Sequence, residues 1–462
     1  MKSLKIKFAM LVAIFSFQIV IAQKNISINL QQALQMAESN YPGIKAKQAQ
    51  LNGSIAKISS ARSGYLPEVS VMDQYLYSTN NGINGTYYSE GGMAIPTSGG
   101  VRKDDIYRPV WGSFTTLFVD WKFFTFGKVK AGVNLSRQEM DQANADYVNE
   151  VFQHKIKVAD TYYLLLMAEK LTAAQEENLK RADAFRKAVN AYAQSGLRPG
   201  ADSSYTNAEY AKAQISLTQS RQYERSLRYK LAELIGNSSS TISADTMDAF
   251  NKIPSNIFID STKINAHPIL KFYQTEIEMS KTRTQIIERS FYPNLSLIGA
   301  GWARGSGLSN TDNSYNTDVA SGIPYQAYNY MAGISFKWNL LNYAKVHYDT
   351  EFERWQTQRY QFLYDEQSLI IKRQIDDAEM QFNTALEQAQ LAPLQLKSAK
   401  DSYAQTEARY KSGLASFPEL TQSFYILNRA ETDMAIAYSN VWRALILKSA
   451  AAGDINMIIN NK

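Results

Sequence analysis

The 462-residue chain contains no cysteine and only three histidines. Without thiols there can be no disulfide scaffold and no thiolate-held metal. His154, His267 and His347 lie far apart and match neither H-x-x-x-H nor H-E-x-x-H, so packing roles are expected of them rather than metal ligation. The glycine-bearing run Gly299-Ala300-Gly301-Trp302-Ala303-Arg304-Gly305 lacks the G-x-G-x-x-G spacing of a dinucleotide loop. No Ser/His/Asp set can be placed either. The expectation is a protein with no catalytic residues, no cofactor and no metal. Disorder is excluded by a 45% hydrophobic content.

A strong charge is also lacking. The formal net charge is +6, but Lys2, Lys5 and Lys7 precede an apolar run over 8–21, broken only by Ser16 and Gln18. The run ends in Val20-Ile21-Ala22, small or apolar residues at the positions a signal peptidase reads. Cleavage after Ala22 leaves about +3, too little to argue for nucleic acid. With no cysteine at the cleavage point, no lipid-modified N-terminus is expected. Residues 1–22 are therefore expected to be a signal peptide, and the mature chain an exported one.

Beyond residue 22 there is no long hydrophobic run. The longest clean stretch found is 162–168, where about 20 residues are needed to span a bilayer as a helix. An exported chain of this kind is soluble or spans as a β-barrel, because only helices and closed barrels satisfy the backbone in lipid. Abundant tyrosine (29) and phenylalanine (20) suit the aromatic girdles of a barrel.

What is present is a repeat. Tyr41-Pro42, ahead of Pro67, recurs as His267-Pro268 ahead of Pro293, at an offset of 226 residues. Later landmarks keep an offset of 217: Trp121 with Trp338, Lys128 with Lys345, Ser195-Gly196-Leu197 with Ser412-Gly413-Leu414, and Gly236 with Gly453. Ordered landmarks at a constant offset mark a duplicated unit. The change of offset falls in one Gly/Asn/Ser-rich stretch, where an exposed loop tolerates length differences. Residues 23–250 and 251–462 are the two expected repeats, each reading helix, strand, loop, strand, long helix, turn, helix.

Tyr330, Ala332, Ile334, Phe336, Trp338 and Leu340 alternate with Asn329, Gly333, Ser335, Lys337 and Asn339. Apolar-out, polar-in alternation of period two predicts a strand. Its counterpart is expected over 113–123, with Leu117, Val119 and Trp121 on the apolar face and Asp120 opposite. Partner strands begin after Pro67 and Pro293. Two loops of about 30 residues, near 79–110 and 304–327, carry no helical period. Four strands cannot close a barrel, so the membrane reading requires several chains. The segments Lys128–Gln194 and 345–411 are nearly free of glycine and hold one proline, Pro393, where a kink or break is expected. Return helices are expected over 203–235 and 418–452.

These features resemble the TolC-like outer-membrane efflux family over essentially the whole mature chain. The resemblance is carried by Tyr41-Pro42-Gly43-Ile44-Lys45, Gly64-Tyr65-Leu66-Pro67, the junction Trp121-Lys122-Phe123-Phe124-Thr125-Phe126-Gly127-Lys128, and the turn Arg409-Tyr410-Lys411-Ser412-Gly413-Leu414. It implies a mixed α+β membrane protein: a homotrimeric 12-stranded β-barrel, four strands per chain, continued by a long α-helical coiled-coil barrel in the periplasm. It also implies location in the outer membrane, contact with its lipid, and docking to a periplasmic adaptor (membrane fusion protein) and an inner-membrane pump. Substrates would pass unaltered. The same duct could serve type I protein secretion, and a soluble periplasmic coiled-coil adaptor or scaffold is the reading from another class. Adaptors lack the duplicated apolar-out strand that ends in Trp121 and Trp338.

The resemblance also points to a constriction. The family narrows its duct with acids just after the turn glycines, and Asp202 and Glu419 each lie six residues beyond Gly196 and Gly413. Helix capping is the alternative role of both carboxylates. Tyr410 matches a tyrosine that ties the tip closed. The basic residue that better-known members place two after the second glycine is Ala415 here, so the lock is expected to differ and to draw on Arg198 or Arg409.

Overall fold

The computed structural model describes residues 26–79, 107–196, 199–237, 242–245, 253–256, 261–309, 312 and 314–460. The expected signal peptide, most of the first loop, and Arg198 lie outside the described residues.

The helices follow from what interrupts them. Leu30–Asn40 (α1) starts in a capping box between Asn29 and Gln32 and ends before Pro42, which opens Pro42–Arg62 (α2). Lys128–Gln194 (α3) is a single helix of 67 residues, and Gly200–Leu234 (α4) returns from it. Pro268–Arg289 (α5) again opens on a proline. After the short helix Val319–Gly322 (α6) come Tyr343–Lys411 (α7), 69 residues long, then Phe417–Ala452 (α8) and Asn456–Ile459 (α9). Pro393 does not break α7, which runs as one helix of 69 residues through it. Ala385, Ala389 and Ala392, on the turns ahead of Pro393, are buried in the core, which holds the helix although proline forfeits one intrahelical bond.

The chain divides into two compact units. The first comprises the described residues of Met1–Leu51, Gln142–Thr275 and Gln361–Lys462. Its core joins Ala33, Leu34 and Ala37 of α1, Val158, Leu165 and Leu166 of α3, Leu231 of α4, Phe382 and Ala389 of α7, and Val441 and Leu445 of α8. Burying each large side chain stabilises by roughly 1.5–3 kcal/mol, which is what holds helices far longer than propensity would. The apolar run 162–168 is this core and no membrane span. Among the described residues no helix is long and apolar enough to cross a membrane. A parallel pair absent from the sequence reading, Ile26–Ile28 (β1) with Ile242–Ala244 (β4), lies against α3. Tyr162 donates its hydroxyl to the carbonyls of Ile28 (3.1 Å) and Asp245 (3.2 Å) beside it.

The second unit, Asn52–Asp141 with Glu276–Tyr360, carries a four-stranded antiparallel sheet. Glu68–Ser78 (β2), Val110–Phe124 (β3), Asn294–Ser306 (β5) and Ala327–Lys337 (β6) pair in the order β2-β3-β5-β6. The middle link, β3 to β5, joins strands from the two expected repeats. Strands β2 and β6 are the sheet's edges, and their residues are almost all exposed.

Candidate functional site

In the first unit, α3 and α7 each end on a glycine in the left-handed region, Gly196 (φ 71°) and Gly413 (φ 77°). After α7, Leu414 N–H donates to the Arg409 carbonyl at 2.8 Å and Gly413 N–H to that of Tyr410 at 3.1 Å, closing a Schellman motif. The Arg409 guanidinium donates to the Leu414 carbonyl at 3.2 Å, so it braces its own turn. A side-chain carbon on either glycine would meet no atom within 4 Å, so backbone angle alone demands glycine here.

The next helix begins at once. Ser416 caps α8: Glu419 N–H donates to its hydroxyl at 3.4 Å, and the Glu419 carboxylate accepts from Ser416 N–H at 2.8 Å. Glu419 is exposed and fills the capping role anticipated for it. Asp202, half-buried, stands in the first turn of α4 behind Pro199, which has no capping side chain. Tyr205 of α4 meets the ring of Phe417 at 5.3 Å, so the two helix starts touch through aromatics.

Tyr410 is buried with Ala415, Phe417 and Leu420, its ring 5.5 Å from Phe185. Ala415 belongs to this cluster, and burial explains why a small residue stands where a basic one was looked for. Above the turn two polar ties join the helices. Arg181 of α3 makes a bidentate pair with Glu431 of α8 at 2.6 and 3.1 Å. Tyr425 of α8 donates to Glu209 of α4 at 2.7 and 2.9 Å and accepts from Lys212. Burial pushes the Tyr425 hydroxyl above its ordinary pKa, and Lys212 is raised by its bond to that tyrosine. Their partners lie more than 200 residues away in sequence, so no local pattern announces either tie.

In the second unit the pairing register sorts side chains, because directly opposed residues share a face. One face gathers Val71, Leu117, Gly301 and Tyr330 in one row, Val69, Val119, Gly299 and Ala332 in the next, then Trp121, Leu297 and Ile334, then Leu295 and Phe336. Every strand residue expected on the apolar side therefore lies on one surface, with Trp338 just past the end of β6. Ile334 is 70% exposed and Phe336 60%. The single charge on the face within the four strands is Asp73, which accepts from the Thr115 hydroxyl at 2.6 Å. The opposite face holds Glu68, Asp120, Lys122, Arg304 and Lys337 among Ser, Asn and Gln, but also Met72, Phe118, Trp302 and Met331. Polar-in alternation thus holds only in part.

The family model described as outer membrane efflux protein matches residues 33–237 and 270–443. No curated protein matches the sequence significantly. Among solved structures, the CmeC outer membrane channel of Campylobacter jejuni shares 14% identity, with 92% of this chain and 85% of that chain covered and a TM-score of 0.75. The outer membrane protein VceC of Vibrio cholerae shares 14%, covering 92% and 96%, with a TM-score of 0.70. The MtrE outer membrane channel of Neisseria gonorrhoeae, in its open state, shares 13%, covering 92% and 89%, with a TM-score of 0.69.

Proposed function

The chain belongs to the outer membrane efflux protein family and is an outer-membrane export duct, and we propose that three copies build it, each lending four strands to one closed barrel of twelve. The observation that carries this reading is the apolar sheet face. Trp111 and Trp121 both lie on it, ten residues apart along β3. At about 3.3 Å per residue and a tilt of about 40°, they stand about 25 Å apart along the bilayer normal, the height of a barrel's lipid-facing band between its aromatic girdles. A sheet with two exposed edges cannot stay open in lipid, and further copies are what close it.

The helices extend into the periplasm, where an adaptor and an inner-membrane pump engage them and supply cargo. The duplicated order of elements is the trace of two fused halves, 23–250 and 251–462. Asp202 and Glu419 form a negative constriction at the helical turns, and the Arg409–Tyr410 turn, with Arg198, holds it shut. Cargo passes without bond-making or bond-breaking, so the chain is not an enzyme.

Light scattering of the full chain in mild detergent tests the assembly, with planar-bilayer currents as the companion measurement. Trimeric mass and ion-conducting channels are expected. A monomer that conducts nothing would defeat the proposal.

A further inference from the structure

The face of the sheet opposite the apolar one has a composition that a merely wet lumen does not require. Its rows, read across β2, β3, β5 and β6, are Glu68–Asp120–Ile298–Gly333, then Ser70–Phe118–Ala300–Met331, then Met72–Thr116–Trp302–Asn329. Phe118 is 36% exposed, Met331 42% and Met72 52%, so these side chains are open to whatever occupies that side. Small residues, Ala300 and Gly333, stand among the large ones, and Trp302 is half-buried. Exposed aromatic and methionine side chains cost solvation free energy unless something apolar covers them.

Beside this belt the fold keeps a second unfavourable arrangement. Glu68 and Asp120 are directly opposed across β2 and β3, where like charges destabilise the pairing. They adjoin Phe118, two residues from Asp120 on the same face. Of the bases in these strands, Lys122 stands two residues beyond Asp120, at the irregularity of β3, and leaves the Glu68–Asp120 pair in excess by one negative charge. Lys337 opposes Asn294 toward the helical end, and the Arg304 guanidinium stacks over the Phe114 ring at 5.9 Å on the loop side. A guest with an aromatic body and a positive charge would satisfy both features together, its ring on Phe118 and Trp302 and its charge near the carboxylates, with cation–π attraction added.

We propose that the lumen face of the sheet is a binding belt for aromatic organic cations, formed by Met72, Phe118, Trp302 and Met331 and given its charge preference by Glu68 and Asp120. The inference rests on the trimeric-barrel reading, which turns this face inward. Three chains then present six carboxylates beside a ring of phenylalanine and tryptophan, a transient station for cargo ahead of release.

The test is block of the open-channel current of the full-length protein in planar bilayers. The probes are naphthyltrimethylammonium, naphthalene-1-sulfonate and tetramethylammonium. Half-block by the aromatic cation is expected at a concentration at least tenfold lower than by the aromatic anion or the plain cation. Phe118→Ser with Trp302→Ser should raise that concentration about tenfold. Glu68→Gln with Asp120→Asn, nearly isosteric and less disruptive to folding, should remove the preference for cation over anion while leaving the open current in place. Equal block by all three probes, or block unchanged in the second variant, would overturn the belt while leaving the duct intact. Absence of any current from the unmodified protein would instead defeat the duct reading.

Discussion

The indole of Trp338 donates its Nε1–H to the backbone carbonyl of Phe291 at 3.0 Å. The same bond joins Trp121 to the carbonyl of Tyr65 at 2.9 Å. Both offsets of the duplication, 226 and 217, are satisfied at once, so the two halves tie the foot of a strand to the approach of its partner in the same way. Replacing Trp121 and Trp338 with Phe keeps a ring but leaves two carbonyls without their donor. A cost of about 1 kcal/mol per site is expected, seen as a lower thermal midpoint of the assembled protein. An unchanged midpoint in both single variants would show that the indoles serve only as girdle residues.

The sheet faces make a directional prediction. Arginine at Phe336 or Val119 should cost about 2–4 kcal/mol per chain where the side chain meets the bilayer midplane. Lysine at Ser335, on the other face, should cost far less. Heat-resistant oligomer on a gel is the readout, and equal losses from both kinds of substitution would mean that the faces have been assigned wrongly.

At the turn, Glu419→Gln can still accept from Ser416 N–H, so its stability should hardly change, whereas Glu419→Ala should lose about 0.5–2 kcal/mol of capping. Combined with Asp202→Asn, the Gln variant should lower cation preference and weaken divalent block in bilayer recordings. Selectivity that survives the double substitution would leave both acids as helix-start residues and place the constriction elsewhere.

The turn glycines separate strain from collision. Gly413→Ala meets open space and should cost about 1–2 kcal/mol for its left-handed backbone. Gly453→Ala and Gly236→Ala should cost more. Their new carbons would stand 2.8 Å from His267 Cδ2 and 2.8 Å from the Asn40 carbonyl carbon. Chemical denaturation of the three variants checks the order, and the idea is lost if Gly413→Ala is the most damaging.

Two buried histidines predict acid sensitivity. His154 donates from Nε2 to the Leu234 carbonyl at 2.7 Å and stacks on Tyr41, and burial lowers its pKa. His267 donates from Nε2 to the Ala450 carbonyl at 3.0 Å and accepts at Nδ1 from Ile269 N–H at 3.3 Å, so a second proton has no place without breaking that bond. Burial lowers its pKa as well. A folded pKa below the unfolded value of about 6.5 means stability that is full above that pH and declines as pH falls through the window beneath it. The decline is at most about 1.4 kcal/mol per histidine per pH unit. Thermal midpoints from pH 7.5 to 5 should fall for the native chain and flatten for His154→Gln with His267→Gln. Parallel slopes for both proteins would contradict the assignment.

Much of this fold was legible because its signals are local and periodic. The helix Lys128–Gln194 begins and ends where the sequence reading set it, since only Gly132 interrupts that stretch and Gly196 stops it. The β6 alternation put Ile334 and Phe336 on the correct common face with Leu117 and Val119 before any register was known. The β1–β4 pair was invisible, because three residues carry no readable period and their partner lies more than 200 residues away. Met331 was passed over in the polar set of β6, and the mixed inner face emerged only when register aligned it with Phe118 and Ala300. At the helical turn, spacing places Glu419 in the first turn of α8 and Tyr410 in the last turn of α7, where the structure has them. The Arg181–Glu431 and Tyr425–Glu209 ties exist only through the packing of helices far apart in sequence.

The open edges of β2 and β6 also constrain how the protein reaches its membrane. Each edge strand has 11 residues, and roughly half of them turn their N–H and C=O groups outward without a neighbour. In hydrocarbon each such group costs several kcal/mol, so a solitary chain entering the bilayer would face a penalty of tens of kcal/mol. Insertion is therefore closed to single copies. On the assembly proposed above, encounter of copies comes before or with membrane entry, and the yield of functional ducts should then depend steeply on how many chains coexist in the periplasm.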